Sequence, residues 1–164
     1  MTRSRLQGVF FDVGNTLVME EPGLHLWEMQ LQPVAGAVET LTLLHARYRL
    51  GVISNTVGSG DAEVAEVLEK VGLRGMIDAL VTSRDFGRSK PDPSIYREAA
   101  RRLGVPLELT CMVGDRLDTD IAGALRAGIP GVWLQHPGSA AIDGITPTHT
   151  IQRLTELPTW LEAT

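Results

Sequence analysis

Two kinds of hydrophobic block alternate along this chain. Short uninterrupted apolar runs predict buried strands, and longer stretches with apolar residues three and four apart predict amphipathic helices. The first run lies within residues 6–12 and is centred on Val9, Phe10 and Phe11. Residues 13–33 are irregular because Gly14, Pro22, Gly23 and Pro33 interrupt any long element. This segment is predicted to make a tight turn and a short flap over residues 18–33, tucked down by Leu24, Leu26 and Trp27. Val34, Val38, Leu41 and Leu44 predict a helix over residues 34–47. Leu50 to Ile53 reads as the second strand and runs into Ser54-Asn55-Thr56. Asp61 is predicted to cap a helix through Val71, with Val64, Val67, Leu68 and Val71 on one face and Gly72 as its stop.

Ala79 to Thr82 is the third predicted strand, followed by the polar loop S-R-D-F-G-R-S-K-P-D-P. Asp92 or Ser94 opens a helix to Leu103, closed by Gly104. Thr110 to Val113 is the fourth strand and ends at Gly114-Asp115; a helix over residues 119–127 stops at Gly128. Gly131 to Leu134 is the fifth strand, residues 136–147 a surface loop, and Thr148 to Ile151 an edge strand. Leu154, Leu157, Trp160 and Leu161 give the tail an amphipathic end. Strands alternating with single helices imply β-α-β units and right-handed crossovers. The predicted fold is therefore α/β: a three-layer Rossmann-like sandwich around a mainly parallel five- or six-stranded sheet. Residues 1–164 read as one domain without repeat or linker.

Composition narrows the function classes. The chain has 164 residues, 43% hydrophobic and 21% charged, with a net charge of −5. That charge argues against general attraction to nucleic acid or to an anionic membrane. No apolar run is long enough to span a bilayer, and no signal-type segment follows M-T-R-S-R, so a cytoplasmic protein is expected. A single cysteine, Cys111, excludes an internal disulfide framework and a thiolate zinc cluster, and reads as a buried small apolar residue. His25, His45, His136 and His149 lack metal-ligand spacing. His25 and Trp27 read as flap packing. Basic residues are mostly arginine; Lys70 and Lys90 are the only lysines.

In a parallel sheet the carboxyl ends of the strands share one rim, so Asp12, Ser54, Lys90 and Asp115 can converge there. Taken singly, each has a plain structural reading. Asp12 suits a turn, Ser54-Asn55 a helix cap, Lys90 a solvated loop, and Asp115 to Asp120 a favourable charge at a helix start. Together they suit phosphoryl transfer, which needs positioning and charge neutralisation. A carboxylate can attack phosphorus to give an acyl phosphate. Two carboxylates with phosphate and water oxygens suit Mg²⁺, and Asp118 and Asp120 add acidity. A lysine offsets phosphoryl charge, and Ser54 with the N–H groups of its turn can hold a phosphate oxygen.

These residues carry a resemblance. F-F-D-V-G-N-T-L-V at 10–18, V-I-S-N-T at 52–56, S-K-P-D-P-S-I-Y at 89–96 and V-G-D-R-L-D-T-D-I-A-G-A at 113–124 are similar, in this order, to the four motifs of the haloacid dehalogenase-like hydrolase superfamily. The resemblance implies a Mg²⁺-dependent phosphatase acting through a phosphoaspartate on Asp12. It also implies phosphoryl binding by Ser54, Asn55 and Lys90. The implied metal ligands are Asp12, the carbonyl of Gly14 and Asp115, with Asp120 supporting the site. The gaps between motifs leave no room for a large cap domain, which implies an open cleft for a phosphorylated small molecule or a larger phosphorylated substrate, with a neighbouring subunit of a homo-oligomer as one source of cover.

Gly14 departs from the pattern. Most phosphatases of the family carry there the Asp that protonates the leaving group, a role worth roughly 10²–10⁴ in rate. Glycine has no group to do this. Phosphates with good leaving groups are then the expected substrates, unless Glu20 or Glu21 of the flap, or a water, substitutes. A dehalogenase would need no proton for halide but would need an enclosing pocket. A receiver domain would carry its phosphorylated Asp after strand three, where Thr82-Ser83 stand. The remaining alternative is a weak or inactive member that binds a phosphorylated ligand or a protein partner.

Overall fold

The computed structural model describes residues 5–21 and 30–164. Six strands form one sheet: β1 (Gly8–Phe11), β2 (Arg49–Ser54), β3 (Ala79–Thr82), β4 (Thr110–Gly114), β5 (Gly131–Leu134) and β6 (His149–Ile151). Their spatial order is β3-β2-β1-β4-β5-β6, and every pairing is parallel. The helices are α1 (Ala37–His45), α2 (Asp61–Lys70), α3 (Ser83–Phe86), α4 (Pro93–Leu103), α5 (Ala122–Arg126) and α6 (Leu157–Glu162).

The strands are apolar on both faces because both faces are covered, as parallel sheets require. Val9 and Phe11 of β1, Leu50 and Val52 of β2 and Cys111 and Val113 of β4 pack with Leu41 and Leu44 of α1, Val64 and Leu68 of α2 and Leu157 and Leu161 of α6. Their neighbours in the pleat, Phe10, Ile53 and Met112, join Ile95, Tyr96, Ala99 and Leu103 of α4 on the other face. The three-layer sandwich is thus present, with the sheet at six strands.

Strands β1 and β4 are adjacent, and the chain runs outward from them in opposite directions. Open α/β sheets form their crevice at such a reversal, outside the carboxyl ends of the strands. Asp12 follows β1 and Asp115 follows β4, one on each side of it.

The element boundaries correct several expectations. The helix after β1 is shorter than 34–47 and starts at Ala37. Asp61 does not cap its own helix: it is the first helical residue, and its carboxylate accepts from the Thr82 N–H (2.9 Å) and hydroxyl (2.7 Å). The polar loop after β3 contains the one-turn helix α3, whose cap is the Thr82 hydroxyl. Asp92, rather than Ser94, caps α4 by accepting from the Ser94 N–H at 2.8 Å. The helix expected over 119–127 instead opens with a π turn over Leu117–Ile121 and becomes α5 only at Ala122. The flap residues Leu24, His25, Leu26 and Trp27 lie outside the described residues. Of the flap, the described ends meet: Val18 bridges Pro33, and the Met19 N–H donates to the Gln32 carbonyl at 2.9 Å.

Candidate active site

The buried run of β1 fixes Asp12, whose N–H continues the ladder by donating to the Val113 carbonyl at 3.0 Å. The chain then turns sharply. The N–H groups of Leu17 and Val18 both donate to the Val13 carbonyl, at 2.9 and 3.0 Å. The residue with left-handed backbone in this turn is Asn15 (φ 56°), a type that tolerates it. The turn therefore does not demand a glycine at 14. What lies at Gly14 is a carboxylate: a Cβ built there would overlap Oε1 of Glu20 and lie 2.5 Å from its Cδ. Glu20 is held by its own N–H, which donates to Asn15 Oδ1 at 3.0 Å. Burial and the Asp12 charge push the Glu20 carboxyl up, against an opposing pull from Arg116.

Lys90 is the centre of the site, and it is no solvated loop lysine. Its side chain is 1% exposed. Its ammonium donates to Asp12 Oδ1 (2.9 Å), Asp120 Oδ1 (2.6 Å) and the Ile53 carbonyl (2.7 Å). An ammonium has three protons, so all of its donors are satisfied. Burial disfavours its charge, but Asp12 and Asp120 outweigh burial and raise its pKa. Asn55 holds the Lys90 backbone from both sides: its Oδ1 accepts the Lys90 N–H (2.8 Å) and its Nδ2 donates to the Lys90 carbonyl (2.9 Å). The Asn55 side chain is thereby committed to placing Lys90. Ser54 ends β2 beside it, 6% exposed.

The π turn after β4 supplies the third wall. Asp120 is 1% exposed; its Oδ2 accepts the Arg116 N–H at 3.1 Å while Oδ1 takes Lys90. A Cβ at Gly114 would overlap this carboxylate, so glycine there lets Asp120 come close to the strand end. The Tyr96 hydroxyl of α4 donates to the Asp120 carbonyl at 2.8 Å. Asp118, by contrast, turns to the Arg116 guanidinium (2.9 Å) and stays outside the cluster.

Asp12, Asp115 and Asp120 each offer an oxygen within 4.8 Å of the others. Three carboxylates thus crowd together, and the Lys90 ammonium meets two of them, Asp12 and Asp120. Burial, then the Asp12 charge, pushes Asp115 up to about 7. Burial raises Asp120 as well, opposed by Lys90. Such crowding of like charge is relieved by a cation, and an all-oxygen donor set suits a hard divalent ion. The Thr16 hydroxyl donates to Asp115 Oδ1 (3.4 Å), and Trp133 Nε1–H to the Asp115 carbonyl (3.0 Å). His136 Nε2 lies 2.6 Å from the Asn15 carbonyl. Thr16 and Tyr96 lie within the quoted motifs, but neither they nor Trp133 and His136 were given a role there, because each acts through a partner distant along the chain.

Four residues expected on one rim therefore stand there: Asp12, Lys90 and Asp115 around one crevice, and Ser54 at the strand end that carries the Lys90 contact. Cys111 lies inside β4, and burial pushes its thiol up to about 12, consistent with a packing role. No helix among the described residues is long and apolar enough to cross a membrane.

Residues 25–128 match the family model described as haloacid dehalogenase-like hydrolase. The match begins downstream of Asp12. The chain is 35% identical over 127 residues to the pyrimidine 5'-nucleotidase YjjG of Escherichia coli, covering 76% of this chain and 55% of the relative. It is 38% identical over 103 residues to the glyceraldehyde 3-phosphate phosphatase of Methanothermobacter thermautotrophicus, covering 62% and 44%. The chain spans about half the length of these curated relatives. Among solved structures, an uncharacterized protein from Listeria monocytogenes serotype 4b superposes with a TM-score of 0.83 at 26% identity, over 97% of this chain and 100% of that one.

Proposed function

This chain belongs to the haloacid dehalogenase-like hydrolases, and from that membership we propose that it is a Mg²⁺-dependent phosphohydrolase working through a phosphoaspartate on Asp12. The observation that carries the reading is the Lys90 ammonium, buried between Asp12 and Asp120 at 2.9 and 2.6 Å. A fully buried lysine held against a strand-end carboxylate that is itself 14% exposed orients one oxygen of Asp12; the other is the atom that attacks. It also supplies positive charge where a phosphoryl group would arrive, in a site where charge acts strongly.

The roles follow from the positions. Asp12 Oδ2 attacks phosphorus, and the acyl phosphate divides one hard displacement into two easier ones. Lys90 offsets charge on the nucleophile and on the phosphoryl oxygens. Ser54 and the Asn55 main-chain N–H hold those oxygens, the Thr56 N–H being taken by Ser83 Oγ at 2.8 Å; the Asn55 side chain acts indirectly, by fixing Lys90. Asp12, the Gly14 carbonyl and Asp115 would hold Mg²⁺, with Asp120 behind them, and the ion would neutralise charge on the phosphoryl group. Thr16 and Trp133 orient Asp115.

The substrate class is a phosphorylated small molecule, as the names of the relatives suggest: a pyrimidine 5'-nucleotidase and a glyceraldehyde 3-phosphate phosphatase. Among the described residues the one helix between β1 and β2 is α1, and between β2 and β3 lie α2 and a short turn. We read this as a core domain without a cap, whose crevice admits substrates larger than these. With Mg²⁺, 4-nitrophenyl phosphate should be hydrolysed by the native protein, and Asp12→Asn should abolish it. Equal turnover by Asp12→Asn would overturn the reading.

A further inference from the structure

A phosphoaspartate route on an unactivated phosphomonoester needs a proton for the departing oxygen. The groups already described cannot give one. Lys90 uses all three protons on Asp12, Asp120 and Ile53. Asp115 and Asp120 belong to the metal-binding cluster, and Asp118 is paired with Arg116. Glu20 is different. Its carboxylate rests on the Cα of Gly14, in the space that a side chain at 14 would fill, and among the described residues that carboxylate makes no hydrogen bond or ion pair. Its backbone is anchored to Asn15, one residue beyond Gly14. The glycine and the glutamate are thus complementary: any larger residue at 14 displaces the Glu20 carboxylate.

We propose that Glu20, reaching in from the flap over Gly14, is the general acid and base of this enzyme. The inference rests on the phosphoaspartate reading above. In the first step Asp12 Oδ2 bonds to phosphorus, the bond from phosphorus to the leaving oxygen breaks, and its electron pair is taken up with the Glu20 proton, releasing an alcohol and leaving a Glu20 carboxylate. In the second, that carboxylate takes a proton from the attacking water, the new P–O bond forms, and the bond to Asp12 breaks. Inorganic phosphate leaves, and Asp12 and protonated Glu20 are regenerated. Because the acid comes from the flap, alkyl phosphates fall within the substrate range that Gly14 alone would exclude.

The test compares a poor and a good leaving group. With Mg²⁺, kcat/KM is measured on glycerol 1-phosphate, which needs the proton, and on 4-nitrophenyl phosphate, whose phenolate departs without one. Glu20→Gln should lose about 100-fold or more on the alkyl ester, the scale of a general acid, and at least tenfold less than that on the aryl ester. Adding Gly14→Asp to Glu20→Gln should recover part of the alkyl activity, because the new carboxyl enters the space that Glu20 held. A structural role for Glu20 would lower both activities equally, and an equal fall, or no fall, overturns the proposal. Asp12→Asn in parallel separates the two levels: if it retains activity, the phosphoaspartate reading itself fails. If the native protein acts on the aryl ester and never on the alkyl ester, only the Glu20 role fails. Glu20 is on the surface, so circular dichroism should show every Glu20 variant folded.

Discussion

Removing the Lys90 ammonium leaves the Asp12 and Asp120 carboxylates facing each other without a counter-charge, one of them fully buried. Breaking a buried pair from one side typically costs about 3–5 kcal/mol, most of it from the abandoned partner. Lys90→Met should therefore lower stability by about that amount in urea titrations without Mg²⁺, and should be inactive. Lys90→Met combined with Asp120→Asn should be more stable than Lys90→Met alone, because the stranded charge is gone; a strictly additive loss would contradict this account. At this scale the sequence was informative about residue type and order. Asp12 and Asp115 follow strands, Ser54 ends one and Lys90 lies in the connection after another, and parallel strands end on one rim. Asn55 was expected to bind the phosphoryl group; that its side-chain amide clamps Lys90 depends on two loops 35 positions apart. Gly14 was misleading in a specific way. It looked like a turn residue, yet Asn15 takes the left-handed position, and the glycine makes room for Glu20.

Helix α2, strand β3 and helix α4 are joined through one carboxylate. Asp61 accepts from Thr82, and Arg102 donates to Asp61 Oδ2 and to the Leu80 carbonyl, both at 2.8 Å. Burial would raise the Asp61 pKa, but the hydrogen bonds from Thr82 and Arg102 outweigh it and hold the carboxyl below the usual range. A group depressed in the folded state adds stability that is complete above its unfolded pKa and is lost as pH falls through the folded value. The stability advantage of the native protein over Asp61→Asn should thus be constant near neutrality and shrink below about pH 4, measured as denaturation midpoints across that range. An advantage that grew on acidification would have the wrong sign. Periodicity read the strands and α4 well, because their apolar residues face a core. It missed α3 and the π turn. Both are single turns fixed by hydrogen bonds at their ends, the Thr82 hydroxyl in one and the Arg116 carbonyl in the other, and neither needs an apolar stripe.

For the molecule as a whole, alternation of strand and helix was enough to imply a parallel sheet, whereas the order β3-β2-β1-β4-β5-β6 was not legible, since no local pattern says on which side of β1 the chain returns. That order sets Asp12 beside Asp115 and so joins the two halves of the sheet at the acidic cluster. A cation bound there should stabilise both halves together. Mg²⁺ at a hundred times its Kd should add about 2.7 kcal/mol, roughly 5–10 °C in Tm for a chain of this size. EDTA should reverse the shift and Asp115→Asn should abolish it. The burial of Lys90 has a further consequence. With Lys70 as the only other lysine, and that one on the surface, an acylating reagent should mark Lys70 at once and spare Lys90 until the crevice opens. The lone thiol, Cys111, is sealed within β4 and should wait for the sheet itself to come apart. Timed by mass spectrometry, the two modifications would distinguish breathing of the active crevice from unfolding of the molecule, with no label introduced.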